Sequence, residues 1–333
     1  MTAAAVIRRE ARAAPGLRRL RRWRDMAGVA ALIGRSFPRG MDRSGRRMLA
    51  EMRALGRAGF LGWLVAPLLV PSAAYAEGFV WEEAGSIIGN ASLSEVEGFP
   101  GRFVLANVAV DVDHRGRGIG RALVEASIEL ARKRAAGLLL LQVEPDNHPA
   151  IHLYSDLGFR TLTTRTLWQA RLGQGAPGPG RQDDVRVRAP TEWNEQWALA
   201  QRLHPEGLVW PYPLGGRVFR RTGRLGSFLP GGPLHWAWPA AGRPKGWMTA
   251  RRTREWGGWR LILLVEPESQ GTGEGPLLRH VLAALRGHAR TVTLDLPAGA
   301  AEAELMSLGF SAERTLAWMA RDWRAGGSPA VWP

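Results

Sequence analysis

Twice in this chain an apolar run breaks into a glycine-punctuated turn and resumes as a helical pattern. The segment VDVDHRGRGIG occupies 110–120 and VEPESQGTGEG occupies 265–275, 155 residues later. Further along, Leu157-Gly158-Phe159 recurs as Leu308-Gly309-Phe310, again after the turn and the helix. A duplication explains the matching order and spacing more economically than coincidence. It also suits the length, because 333 residues exceed one comfortable core and fit two domains of about 150 each. The stretch GQGAPGPGRQDD at 173–184 has the glycine and proline density of a linker. The expected organisation is therefore a first domain over 17–172, a linker over 173–184 and a second domain over 185–325.

Periodicity places the elements. Leu17 to Arg22 reads as a short strand, and Asp25 as the N-cap of a helix carrying Met26, Val29, Ala30 and Ile33 on one face. A second helix is expected over 44–58. A hairpin follows, turning at Ala84-Gly85-Ser86, and then a strand over 103–112 that enters the first glycine turn. Beyond the turn, Leu123, Ala126, Ser127, Leu130 and Ala131 recur at helical spacing opposite Glu125, Glu129 and Lys133. Leu138 to Val143 is too continuously apolar for anything but a buried strand, and Pro149 opens a short helix through Asp156. In the second half, strands are expected in VRVRAP and near 235–238, 246–254 and 259–265, with a helix from Thr191.

Composition narrows the function classes. With 45% hydrophobic and 23% charged residues the chain is globular rather than disordered. The absence of cysteine removes disulfides, thiolate nucleophiles and Cys-ligated metal, and is compatible with a reducing cytoplasm. No metal site is expected. The net charge of +15 would ordinarily suggest nucleic acid. Almost all of the basic residues are scattered arginines, however, so no nucleic-acid partner is expected. The apolar segment FLGWLVAPLLVPSAAYA at 60–76 carries Pro67 and Pro71 and is short of a span, so no membrane crossing is expected. The amino-terminal residues lack the apolar core of a signal peptide.

The chemistry sits at the first turn. A strand leading into Arg115-x-x-Gly118-x-Gly120 and then a helix gathers backbone N–H groups at a positive helix end, where glycines let an anion approach closely. An ordinary strand-to-helix connection has the same outline. A Rossmann fingerprint would need glycine where Arg121 stands, and a P-loop would need Gly-Lys-Ser/Thr, which is missing. The later block VEPDNHPAIHLYSDLGFR supplies Asn147, Ala150, Leu153, Tyr154, Leu157, Gly158 and Phe159.

On these two motifs the chain resembles the GNAT superfamily of N-acetyltransferases, in its tandem two-domain form, and the first copy resembles the ribosomal-protein alanine acetyltransferases. The resemblance implies an α/β fold of two tandem acyl-CoA N-acyltransferase domains, each a mixed, mostly antiparallel sheet with splayed central strands flanked by helices. It implies acetyl-CoA as co-substrate. Backbone groups at Val108, Ala109 and Val110 would hold the pantetheine arm, and Arg115, Gly116, Arg117, Gly118, Ile119 and Gly120 the pyrophosphate. Asn147 would contact the cofactor arm, and Tyr154, near the thiol, would protonate the departing thiolate after direct attack by a neutral amine. Where the ribosomal-protein enzymes carry a glutamate five residues before the Asn, this chain has Gln142, which accepts no proton at neutral pH. Glu144 or Glu82, working through a water, are the candidate bases.

The second copy has changed at the matching positions: Arg117 becomes Thr272, Ile119 becomes Glu274, Asn147 aligns with Ala298 and Tyr154 with Leu305. It reads as a structural or gating partner without catalysis. The expected function is transfer of an acetyl group to a primary amine, on a small molecule or a protein N-terminus, by a cytoplasmic monomer or homodimer. The alternative is a non-catalytic acyl-CoA-binding or regulatory module.

Overall fold

Four consecutive leucines, Leu138 to Leu141, are each at most 2% exposed. An unbroken apolar run of this kind suits a strand covered on both faces. In the computed structural model, which describes residues 16–37, 43–57, 77–96, 99–172, 184–204, 215–220, 232–253 and 257–324, they form the middle of a sheet. The described residues divide into two compact units. The first draws on 1–143, 147–162 and 318–333, and the second on 144–146 and 163–317. The expected linker, apart from Asp184, and the 60–76 segment lie outside the described residues.

In the first unit the strands β1 (Gly16–Arg19), β2 (Glu77–Glu83), β3 (Ser86–Glu95), β4 (Arg102–Val110) and β5 (Leu138–Val143) lie side by side in chain order. All neighbours are antiparallel except β4 and β5, which run parallel. The β2–β3 turn is the expected one, with Ala84 at φ 50° and Gly85 at φ 79°, both in the left-handed region that tight hairpins use. Helices α1 (Arg22–Ser36) and α2 (Arg43–Arg57) bury Met26, Val29, Ile33, Leu49 and Met52 against Val80 of β2. Strand side chains alternate between faces, so Trp81 turns to the other layer, where α3 (Ile119–Lys133) packs. Asp25 is not the cap of α1. The helix begins at Arg22, and Asp25 lies inside its first turn, 2% exposed, accepting from the Arg21 N–H at 2.7 Å and from two nitrogens of Arg18.

Helix α4 (His148–Asp156) follows β5, and β6 (Arg160–Arg171) begins in the first unit and continues in the second. The second unit contains β7 (Arg186–Val187), α5 (Trp193–Leu203), β8 (Leu234–Trp238), β9 (Gly246–Arg252), β10 (Gly258–Val265), α6 (Glu274–Ala284), β11 (Thr291–Pro297) and α7 (Glu302–Ser307). Its one parallel pair among the described strands is β10 with β11, the counterpart of β4 with β5. The final strand β12 (Ser311–Asp322) starts in the second unit and ends in the first. There Trp323 N–H donates to the Gly137 carbonyl at 2.9 Å, at the start of β5. The fold is thus a tandem of mixed, mostly antiparallel sheets with helices packed on them.

One close approach seats α3. A methyl group placed on Gly89 would lie 2.9 Å from both Ile119 and Leu123 and 3.0 Å from Trp81 Cβ, so the first turn of the helix rests directly on the β3 backbone. Gly246 plays the same part for α6, meeting Leu277 at 3.1 Å. Gly89→Ala should therefore push α3 off the sheet and destabilise the first unit by about 1–3 kcal/mol. A melting temperature several degrees below wild type is the expected reading, and an unchanged one refutes the contact.

Candidate active site

Two features of β4 define the site. Its parallel ladder to β5 runs only from Arg102↔Leu138 to Leu105↔Leu141, although both strands continue, so the two strands part beyond those residues. At the same level β4 is bulged against β3: Asn90 pairs with Ala109, but Ser92 pairs with Ala106, leaving Asn107 and Val108 opposite Ala91. Asn107 sits at φ 53°. Val108 and Val110 are half-buried and Ala109 is buried beyond this kink.

The strand then enters the loop that leads to α3. Gly116 and Gly118 both adopt φ 75°, and Gly118 is the N-cap. A side chain on either would meet no atom within 4 Å, so the loop is open on the outside. The N–H groups of Gly116, Arg117, Gly118, Ile119 and Gly120 have no hydrogen-bond partner among the described residues. Unpaired amides at a helix start, with left-handed glycines between them, make an anion cradle. Arg115 Nε donates to the Val110 carbonyl at 3.3 Å, and Arg117 is held by Glu83 at 2.8 Å. Both guanidiniums therefore stay beside the cradle.

Asn147 is the N-cap of α4; its side-chain oxygen accepts from Ala150 N–H at 3.3 Å, leaving its amide nitrogen available. Tyr154, on α4, is 6% exposed, with its ring edge-on to Phe159 at 5.9 Å. Burial pushes its hydroxyl pKa up to about 12, because the phenolate is poorly solvated there. Glu144 is half-buried immediately after β5 and belongs to the second compact unit, whereas the other named site residues belong to the first. Glu82 is 4% exposed and committed to Arg18 at 2.6 Å and Arg24 at 3.2 Å. It helps wall a cavity of about 390 Å³ between α1 and the β2–β3 turn. Both of its oxygens are already engaged by guanidiniums, leaving neither free for a water. That disfavours Glu82 as a base.

The second copy has taken its cradle apart. Its loop keeps Gly271 at φ 84°, but Gly273, the counterpart of Gly118, is right-handed at φ −87°. Three of its amides are spent internally: Thr272 and Gly273 N–H both donate to the Ser269 carbonyl, and Gly271 N–H donates to the Glu274 carboxylate at 2.8 Å. Glu274 thus folds back into the place an anion would occupy. Leu305 stands where Tyr154 stands, in the same local frame: Phe159 N–H reaches the Tyr154 carbonyl and Phe310 N–H the Leu305 carbonyl.

Residues 55–159 match the family model described as Acetyltransferase (GNAT) family. Over 86 residues the chain is 46% identical to the [Ribosomal protein bS18]-alanine N-acetyltransferase of Escherichia coli (strain K12), covering 26% of this chain and 54% of that protein. It therefore spans about half the length of this curated relative. A GCN5-related N-acetyltransferase from Sphaerobacter thermophilus superposes with TM-score 0.63 at 17% identity, over 93% of this chain and 96% of that one. A tandem GNAT protein from the clavulanic acid biosynthesis pathway does so with TM-score 0.51 at 18% identity, over 94% and 99%. The residues that match the family model, 55–159, lie almost wholly in the first unit. The chain as a whole has the tandem form of the GNAT fold.

Because Tyr154 ionises near 12 when folded and a free tyrosine near 10, the chain should lose stability as pH rises from 10 towards 12. Phenolate absorbance of wild type minus Tyr154→Phe should titrate near 12. A midpoint near 10 would show that the ring is solvated.

Proposed function

We propose that this chain is an N-acetyltransferase that moves an acetyl group from acetyl-CoA to a primary amine, on a small molecule or a protein N-terminus, by direct attack. The observation that carries this reading is the open cradle of five amides, from Gly116 to Gly120, without partners among the described residues and in the same unit as the buried Tyr154. The catalytic domain is the first, over 17–172. The domain over 185–325 is a degenerate partner.

In this reading the loop from Arg115 to Gly120 holds the pyrophosphate, and the β4 backbone at Val108, Ala109 and Val110 lies along the pantetheine arm where β5 has moved away. The Asn147 amide completes the grip. As the amine adds to the thioester carbonyl and the carbon–sulfur bond breaks, Tyr154 donates its proton towards the sulfur. The acceptor must arrive neutral. For a lysine side chain of pKa about 10.4 this costs roughly 4.6 kcal/mol at pH 7, whereas an α-amino group near 7.8 costs about 1. Glu144, relayed by a water, is the base of this proposal, because Gln142 cannot serve and Glu82 is engaged.

Calorimetry with coenzyme A should give one site per chain, since Gly271, Thr272 and Gly273 of the second loop spend their amides on Glu274 and Ser269. Two sites would refute the closure of the second loop. Acetyl-CoA turnover on a panel of primary amines should fall about a hundredfold in Tyr154→Phe with coenzyme A affinity unchanged. Its rate should rise with pH as the amine deprotonates, and show no descending limb from Tyr154 below about pH 11. Tight binding of acetyl-CoA without turnover on any amine would instead identify a binding module.

A further inference from the structure

Asn90 lies in the middle of β3 with no exposed surface. Its amide nitrogen donates to the Asn107 carbonyl at 2.8 Å and lies 3.2 Å from the Ser92 hydroxyl, while its side-chain oxygen is buried without a partner among the described residues. A half-satisfied amide in a sheet core costs stability, and a leucine or valine would pack there without that penalty. Its partner is equally unusual. Asn107 is the only described residue of β4 in the left-handed region, a conformation that costs a non-glycine residue about 1 kcal/mol and persists only when its surroundings enforce it.

The second copy provides an internal control. Gly246 pairs with Val265 as Gly89 pairs with Val110, so the residue after each glycine is equivalent: Asn90 in one copy, Trp247 in the other. With tryptophan there, the β9–β10 ladder runs unshifted from Gly246↔Val265 to Arg252↔Trp259, and no residue of β10 has positive φ. The asparagine and the bulge occur together, and both are missing from the copy whose cradle is closed.

We propose that Asn90 is a positioning residue of the acyl-CoA site, which clamps the Asn107 carbonyl and thereby sets the register of Val108 to Val110. This rests on the reading that the β4 backbone holds the pantetheine arm. Backbone and side-chain directions alternate along a strand, so one inserted residue exchanges the groups that face each side. Removing the bulge would offer the thioester arm the wrong amides even if the sheet stayed folded.

The test uses the full chain, coenzyme A as the calorimetric probe, and a melting curve in each buffer. Asn90→Ala should bind coenzyme A about tenfold more weakly, the worth of one buried hydrogen bond. Asn90→Asp keeps the shape: protonated, it still donates to the carbonyl, and ionised it cannot. Its affinity should match wild type near pH 5 and fall below it towards pH 8, measured where both proteins remain folded. If Asn90→Ala melts earlier but binds as wild type does, or Asn90→Asp tracks wild type at every pH, the residue is merely structural and the proposal fails. Should Asn90→Ala not fold, Asn90→Asp decides alone. If wild type itself shows no affinity, the functional reading falls and takes this inference with it.

Discussion

The site depends on a failure of pairing. In a buried sheet nearly every backbone N–H and C=O has a partner, because an unpaired group away from water costs about as much as a lost hydrogen bond. Past Leu105 and Leu141 the two central parallel strands stop satisfying one another, and the next turn of chain leaves five further amides without a partner among the described residues at the start of α3. Residues 115–118 are exposed, so water satisfies these donors in the free protein, and an anionic or carbonyl-bearing group would take the place of that water. The remaining architecture supports that end: helix α3 seated on a glycine, the N-capped α4, and a second helical layer on the opposite face.

The duplicated copy shows what happens when such donors are paired internally. Its fold is retained down to the glycine under the helix and the Leu-Gly-Phe bend, so the packing rules are shared. The polar groups diverge. Ser269 and Glu274 absorb the loop amides, Gly273 leaves the left-handed region, and a continuous ladder replaces the bulge. The two halves thus separate the requirements of the fold from those of an open loop within one polypeptide.

Much of this was legible in the sequence because it depends on local pattern. The two glycine turns, the amphipathic helix after the first, the apolar β5 run and the hairpin at Ala84-Gly85 all carry signals within a few residues of one another. The misreading of Asp25 had a tertiary cause: its carboxylate is drawn into the core by Arg18, a partner seven residues away, rather than capping the helix that follows it. Asn90 and Asn107 gave no warning, since both sit in ordinary strand patterns and only their long-range pairing makes them unusual. Strands β6 and β12 were not anticipated, because a run such as RTLTTRTLWQAR alternates weakly and shows its burial only when the sheet is assembled. Where Glu274 points could not be read from its position in sequence; its bond from the Gly271 N–H shows that the carboxylate turns back onto its own loop.

The two strands that begin in one unit and end in the other have a temporal consequence. The first unit includes Trp318 to Asp322, which the ribosome adds only after the whole second unit has been made. At a synthesis rate of roughly 5–20 residues per second, the first unit waits on the order of ten to thirty seconds for its last strand. Until then the outer edge of β5, whose leucines are each at most 2% exposed in the finished protein, has no closing neighbour. The newborn chain is thus most vulnerable to mispairing or chaperone capture during that interval, and severing the chain near its midpoint would make the exposure permanent.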